Sequence, residues 1–259
     1  MITSVKGLYN SRDLLLAWTS RTIRARYQQS ALGWIWAVLQ PAAGAIIFSI
    51  IFTLFVPIDT GNVPYIVFSY IAMVPWTFLA SSLADMSGSI VVNMSLVTKI
   101  YFHREVLPIA AMLARLMDFG IAAALFLVFI LFYRVPLSAA ILFLPVILAI
   151  QLLLIIGLGL ATAAANVFYR DVQSMLTLVI QLWFYASPII YPVTMVPEQL
   201  RPFYFLNPMA GILVAYRDVL LNGSLPGSYL IPSAIVAIIV FLGGIWFFKR
   251  VEFLFADIV

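Results

Sequence analysis

The chain has no cysteine, a single histidine, His103, and only three lysines in 259 residues. The lack of cysteine excludes a disulfide framework, a thiolate nucleophile and a Cys-based metal or iron–sulfur site, and one histidine cannot build a zinc site. Charge is also scarce. Asp, Glu, Lys and Arg make up 9% of the residues, against roughly 25% in soluble domains. No G-x-x-x-x-G-K-[ST] run occurs, and none of Lys6, Lys99 and Lys249 has a glycine-rich lead-in. The chain therefore cannot cradle nucleotide phosphates in the Walker manner and does not hydrolyse ATP alone. No nucleophile, base and orienting group can be assembled, so no catalytic set is assigned, and the absence of a long basic cluster speaks against nucleic acid.

What is present is apolar sequence: 64% of residues are hydrophobic, with mean hydropathy +1.11. A run that begins with Arg21, Arg24 and Arg26 passes Leu32-Gly33-Trp34-Ile35-Trp36 and Gln40-Pro41, then stays apolar to Val56. Basic residues that stop where about twenty apolar residues begin mark the cytoplasmic side of a membrane span. Six runs qualify as spans: 31–56, 65–92, 108–133, 141–165, 174–195 and 230–248. Backbone groups must satisfy each other in lipid, so these are expected to be helices. An even number puts both termini on one side. That side receives Lys6, Arg12, Arg21, Arg24, Arg26, Lys99, Arg104, Arg170, Lys249 and Arg250 of the fourteen basic residues, and is taken as the cytoplasm. Because Asp13 and several arginines precede a long apolar span, the N-terminus does not read as a cleaved signal peptide.

Two segments do not fit plain spans. Residues 196–229 carry Pro197, Pro202, Pro208, Pro226, Gly211, Gly223 and Gly227 around an apolar stretch too short to cross, 211–216. This predicts a pair of short re-entrant helices dipping in from the outer face. Residues 11–29 place Leu14, Leu15, Trp18, Thr22 and Ala25 roughly on one arc beside Arg21 and Arg24, which favours an amphipathic helix on the inner leaflet over a disordered basic tail. The expected fold is thus all-α and integral to the membrane, one domain over 1–259: interface helix 1–30, five spans within 31–195, outer helices 196–229, a last span 230–248 and a cytoplasmic tail 249–259.

Intramembrane ionisable residues are few: Asp85, Arg115 and Asp118. Arg115 and Asp118 are three apart on one helix and can pair structurally. An ion-coupled flippase would have to use these residues, yet a proton relay needs more carboxylates. A membrane-embedded transferase would have only Asp85 to offer. Glu105 beside Arg104 reads as a solvated or partner-facing pair. Aromatic residues reach 15%. Phe48, Phe52 and Phe55 follow i, i+4, i+7, and Trp183, Phe184 and Tyr185 cluster. Helix packing and interfacial belts account for such rings. The sharper reading is a sugar path, in which aromatic faces stack on pyranose C–H faces while Gln40, Ser49, Thr53, Thr177, Gln181 and Ser187 add polar contacts that would be costly toward lipid.

At Arg26-Tyr27, Leu32-Gly33-Trp34-Ile35-Trp36 and Gln40-Pro41 the sequence resembles the membrane subunits of polysaccharide ABC exporters of the ABC-2 permease type. The resemblance continues through Val74-Pro75-Trp76-Thr77-Phe78 with Ser81-Ser82-Leu83, Asn166-Val167-Phe168-Tyr169-Arg170-Asp171-Val172, Ser187-Pro188-Ile189-Ile190-Tyr191 and Leu206-Asn207-Pro208-Met209, in family order over nearly the whole chain. It is nearest to O-antigen permeases, with capsule and teichoic acid permeases also similar. The resemblance implies a homodimer with two copies of a separate cytoplasmic ATPase that binds ATP and Mg, exporting a lipid-linked polysaccharide across the bacterial inner membrane. No cofactor or metal is expected in this chain, whose remaining partner is membrane lipid.

The resemblance also assigns candidate roles. The path at the dimer interface is lined by the first and fifth spans, giving Trp34, Trp36, Gln40, Phe48, Phe52, Phe55, Gln181, Trp183, Phe184 and Tyr185. Arg21, Arg24 and Arg26 suit a lipid pyrophosphate at its point of access. The ATPase-coupling helix maps to 94–107, with Lys99, Tyr101, Phe102, His103, Arg104 and Glu105. A periplasmic gate would use Tyr191, Asn207, Pro208, Tyr216 and Arg217. Arg170 beside Asp171 serves either helix capping or partner contact. Arg134 and Arg217 fall on the outer side against the positive-inside rule, where they meet a pyrophosphate or anionic glycan, or, for Arg217, pair with Asp218 or Glu198.

Overall fold

The computed structural model describes residues 11–28, 30–60, 63–100, 102–133 and 138–256, the side chains of 127–133 excepted. Tyr101, Arg134 and Lys6 lie outside the described residues. Among the described residues every regular element is a helix. Helix α1 is Arg12–Tyr27, α2 is Ile35–Ile50 extended by a π-helical turn Ile51–Phe55, and α3 is Tyr65–Val92. After a four-residue turn of helix, α4 (Met94–Val97), come α5 (Val106–Tyr133) and α6 (Leu144–Phe168), the latter led in by a 3-10 turn Ala139–Phe143. Then follow α7 (Asp171–Tyr185), α8 (Arg201–Tyr204), α9 (Pro208–Arg217, continued by a π-helical turn Asp218–Asn222) and α10 (Leu230–Val251).

Among the described residues five helices are long and apolar enough to cross a membrane: Ile35–Phe55, Tyr65–Val92, Val106–Phe126, Ala139–Phe168 and Leu230–Phe255. The expected fifth span, 174–195, is not among these five. Its helix is the fifteen-residue α7, which begins at Asp171 and stops at Tyr185. Pro188 has no N–H to continue a helix and disfavours helical geometry in the residue before it, so the chain turns there although its hydropathy does not fall. The outer segment, expected as a pair of short helices, has two unlike arms. Its first arm is broken into single turns, Val193–Met195, Glu198–Leu200 and α8, whereas the second, α9 with its π turn, is continuous.

Helix α3 is the centre of the bundle. Eighteen of its residues are buried, among α2, α5, α6, α7 and α9. Two buried polar side chains of α6 stitch it to α3 by donating to backbone oxygens: Gln151 Nε2 to Pro75 O at 2.7 Å and Asn166 Nδ2 to Ser87 O at 3.0 Å. The first also meets a backbone locally disturbed by a proline within the helix. Helices α6 and α10 approach backbone to backbone, since a Cβ on Gly244 would sit 2.0 Å from the Gly157 carbonyl oxygen. Only small residues permit that approach, the usual device for joining helices in lipid.

The end of the bundle that carries Lys99, Arg104, Arg170, Lys249 and Arg250 is here called the basic end. A second hydrophobic cluster lies there, built on Ile90, Leu107, Leu160, Phe248 and Phe255, with Trp18 of α1 packed against it. The chain that follows α10 is folded as far as Ala256. A 3-10 turn Glu252–Ala256 folds back and buries Phe255 against Phe168 and Phe248.

Candidate substrate path, access cavity and coupling loop

Helices α2 and α7 meet over α3. Phe48 lies 6.2 Å from Phe52 and 5.9 Å from Phe184 between ring centroids, and Trp76 of α3 meets Trp183 and Phe184 edge-on at 5.8 and 5.7 Å. The chain of rings continues from Phe52 to Tyr65 at 5.5 Å. Of the path candidates, Phe48, Phe52, Trp183 and Phe184 are thus half-buried in helix packing, and Trp183 donates its indole N–H to Asn207 Oδ1 at 2.8 Å. Trp34, Trp36, Gln40, Phe55, Gln181 and Tyr185 are exposed instead.

No residue of α7 is buried. Its exposed polar residues Ser174, Thr177 and Gln181 lead to Tyr185 at i, i+3, i+7 and i+11, which is one stripe of a helix. Met175, Leu178, Val179 and Leu182 flank the stripe and are exposed too. Thr177 Oγ1 donates back to Gln173 O at 3.0 Å, a bond within the helix. Hydrophobicity alone hides this stripe, because Thr and Gln at every third or fourth position scarcely lower the local average. The spacing reveals it.

The turn from α1 into α2 depends on Gly33, whose φ of +50° suits glycine, and whose N–H donates to Ser30 Oγ at 3.0 Å. This turn lets the end of α1 lie against α3 and α5. Arg26 donates from Nη2 to Asp85 Oδ2 at 2.6 Å and from Nη1 to Asp118 Oδ2 at 2.8 Å. Arg115 donates to both oxygens of Asp85, at 2.7 and 3.2 Å, and to Asp118 Oδ2 at 3.3 Å. The Tyr27 hydroxyl donates to Asp118 Oδ1. Burial, reinforced by the Asp118 hydrogen bond and charge, pushes that phenol up to about 12, so it remains a neutral donor. The expected Arg115–Asp118 pair is present, but as the longest link of a network of two guanidiniums and two carboxylates. The sequence flags both ends of it, the Arg26-Tyr27 motif and the intramembrane charges, without joining them.

A cavity of about 160 Å³ opens beside this network, with Arg26, Trp36, Gln40, Thr77, Ser81 and Asp118 among its walls. Of the basic residues expected to meet a pyrophosphate, Arg26 is engaged by the two aspartates. Arg21 is exposed and stacks 4.4 Å over the Trp18 ring, and Arg24 is exposed. Each aspartate is held by two guanidiniums, an arrangement that clamps α1 to the bundle and offers no chain of carboxylates for a proton relay.

At the basic end, Lys99 is exposed, Phe102 packs into the second hydrophobic cluster, and the His103 carbonyl accepts from Val106 N at 3.0 Å. Arg104 lies 5.8 Å from the Phe255 ring. Glu105 is not solvated as expected. It is 2% exposed and pairs with Lys249 Nζ at 2.8 Å, which also meets Glu252 at 3.1 Å. The loop is therefore braced by the end of α10, a long-range pairing that no local spacing announces. Asn166 is a bridge to α3, while Arg170 and Asp171 are exposed at the start of α7, where Asp171 complements the helix dipole.

At the opposite end, the Tyr191 and Tyr204 hydroxyls lie 2.9 Å apart, Pro208 opens α9, and Tyr216 donates to Gln151 Oε1 at 3.1 Å. Arg217 pairs with neither Asp218 nor Glu198. Glu198 is bound to Arg201, and Asp218 accepts from Tyr229 and Asn222. Arg217 points inward to backbone carbonyls.

The family model for ABC-2 type transporters matches residues 13–221. The chain is 30% identical to an O-antigen export system permease protein RfbA of Klebsiella pneumoniae, over 98% of this chain and 99% of that protein. It is 32% identical to an RfbA of Myxococcus xanthus over 87% of each, and 27% identical to the polysialic acid transport protein KpsM of Escherichia coli over 78% of this chain and 79% of that one. With its apolar helices and a match that covers most of its length, the chain belongs to the ABC-2 type transporter family and is a membrane component of it.

Proposed function

We propose that this chain is the transmembrane subunit of an ATP-driven exporter that moves a lipid-linked cell-surface polysaccharide, of O-antigen type, across a bacterial inner membrane. Two copies form the conduit, and two copies of a separate ATPase, which holds ATP and Mg, drive it. The relatives named for O-antigen export support the substrate class, and the KpsM likeness keeps capsule export as the neighbouring case.

The observation that carries the conduit is the uncovered polar stripe Ser174, Thr177, Gln181 and Tyr185 on α7. Such a stripe is costly against hydrocarbon and favourable against water or sugar. A second copy facing α2 and α7 encloses it, with Gln40, Phe55 and Tyr185 offering hydrogen bonds and ring faces to a sliding glycan. In this reading α7 is the fifth span in chain order and α10 the sixth. The fifteen residues of α7 cover about 22 Å at 1.5 Å per residue, and the buried turn 187–189 completes the crossing. Irregular backbone at membrane depth is tolerated where protein buries it.

In this reading the basic end and both termini are cytoplasmic, which the bias of basic residues supports. The loop from α4 to α5, stiffened by Glu105 and Lys249, receives the push of the ATPase and passes it on as a rigid-body shift. The lipid pyrophosphate approaches beside α1, where Arg21 and Arg24 are exposed and Arg26 can exchange a carboxylate for a phosphate. The segment 193–222 closes the periplasmic mouth. A mild-detergent purification of the tagged chain from its host tests this reading. A stoichiometric Walker-motif ATPase, together with loss of surface glycan on deletion, is expected. A lone chain that still moves lipid-linked glycan would overturn it.

A further inference from the structure

All ten residues of α9 are buried, and both of its ends hold the same turn of chain. At the first end Asn207 Oδ1 accepts from Met209 N at 3.1 Å and from Trp183 Nε1 at 2.8 Å. Its Nδ2 donates to Ala186 O at 3.2 Å and to Ser187 Oγ at 3.0 Å. At the other end Arg217 donates from Nη1 to Pro188 O at 2.5 Å, from Nη2 to Ile189 O at 2.7 Å and from Nε to Phe68 O at 3.3 Å. The Tyr65 hydroxyl donates to Ile190 O at 2.5 Å. Every residue from Ala186 to Ile190 thus bonds to an end of α9 or to α3.

The need for these bonds starts at Pro188. The chain leaves α7 there, so buried carbonyls that a continuing helix would have satisfied require other donors. The fork of an arginine reaches two neighbouring carbonyls and a third behind them, which a lysine cannot do. Arg217 is 6% exposed and has no ion pair among the described residues. Three carbonyl dipoles and the Phe68 ring, 3.5 Å from its guanidinium carbon, stand in for water.

We infer that Arg217 and Asn207 are positioning residues that bind the end of α7, the start of α3 and α9 into one rigid frame, so that α9 is a fixed strut and the moving part of this mouth is 193–206. That segment is tied mostly to itself. Arg201 donates to Val196 O, Thr194 O and Glu198 within it. Its outward links include the Tyr191–Tyr204 hydroxyl contact and the Phe205–Tyr229 ring stack at 5.1 Å. Met195, Leu200, Phe203 and Leu206 are exposed on it. The frame follows from the bonds alone, while its part in gating rests on the exporter reading.

Hydrogen exchange read by mass spectrometry, on the purified exporter complex in nanodiscs, tests the inference with Arg217→Lys, Arg217→Met and Asn207→Ala. In the unaltered protein the amides of 209–217 should exchange far more slowly than those of 193–206. Arg217→Met should raise exchange at 186–190 and 209–217 together, by about tenfold or more, and leave α6 unchanged. Arg217→Lys should fall between. Glycan exported per ATP hydrolysed should drop in the same order. Unchanged exchange in Arg217→Met, or equal exchange of 209–217 and 193–206 in the unaltered protein, would overturn the frame. If Arg217→Met does not fold, Arg217→Lys and Asn207→Ala make the same comparison. The exchange pattern intact without ATP-linked export would overturn the exporter reading and leave the frame standing.

Discussion

Helices α3 and α7 are neighbours with similar apolar content and opposite surroundings. Eighteen residues of α3 are buried, and none of α7 is. On α3 Asp85 is taken up by two arginines, and the backbone oxygens of Pro75 and Ser87 by side chains of α6. Polar groups on α7 form a stripe with no cover. One helix is the frame and the other is a face waiting for something wet. In a membrane protein, then, the same residue types report different things according to whether their hydrogen bonds are already made.

If this contrast is correct, changes to the frame act on stability and changes to the face act on transport. The largest effect is expected for Gly244→Leu, whose side chain would collide with the α6 backbone at Gly157. Size-exclusion chromatography should show loss of monodisperse protein. Asp118→Ala comes next. Breaking a fully buried pair costs about 3–5 kcal/mol, and the partial exposure of this network reduces that to about 2 kcal/mol, visible as a lower melting temperature and faster proteolysis at α1. Trp183→Ala and Tyr185→Ala then separate two nearby rings. The first removes a half-buried indole bonded to Asn207 and should cost about 1–2 kcal/mol. The second should leave stability within about 0.5 kcal/mol but slow export in a surface-glycan assay. The smallest stability effect is expected for Thr177→Val combined with Gln181→Leu, which should melt as the unaltered protein does while exporting several-fold less. A large stability loss from that double change would erase the distinction between frame and face.

The helices, their order and the membrane class were legible because hydropathy and charge bias record them directly. The end of α7 was not, since Ser187-Pro188-Ile189-Ile190 is apolar and a hydropathy sum runs through the break. Arg26, Asp85, Arg115 and Asp118 were each visible as charges at or inside the membrane, but their assembly requires contacts as distant in sequence as Arg26 and Asp118. Glu105 beside Arg104 reads in sequence as a solvated or partner-facing pair because Lys249, which it meets, is at the far end of the chain. In the sequence the path candidates, aromatics together with Gln40 and Gln181, form one set. Packing divides them, with Phe48, Phe52, Trp183 and Phe184 held in ring contacts around α3 and Tyr185 and Gln181 left open. Spacing along a single helix locates a face, and only the neighbours decide whether that face is used up.

The absence of native cysteine makes one experiment decisive. Single Gln181→Cys and Leu178→Cys variants, in the assembled exporter in membranes, would be treated with a charged, water-soluble thiol reagent and with a membrane-soluble maleimide. If the polar stripe of α7 lines a water-filled conduit, Gln181→Cys should react with the charged reagent, slow down when lipid-linked glycan occupies the path, and outpace Leu178→Cys. Reaction of Gln181→Cys with the membrane-soluble reagent alone would place the stripe against lipid and contradict the account.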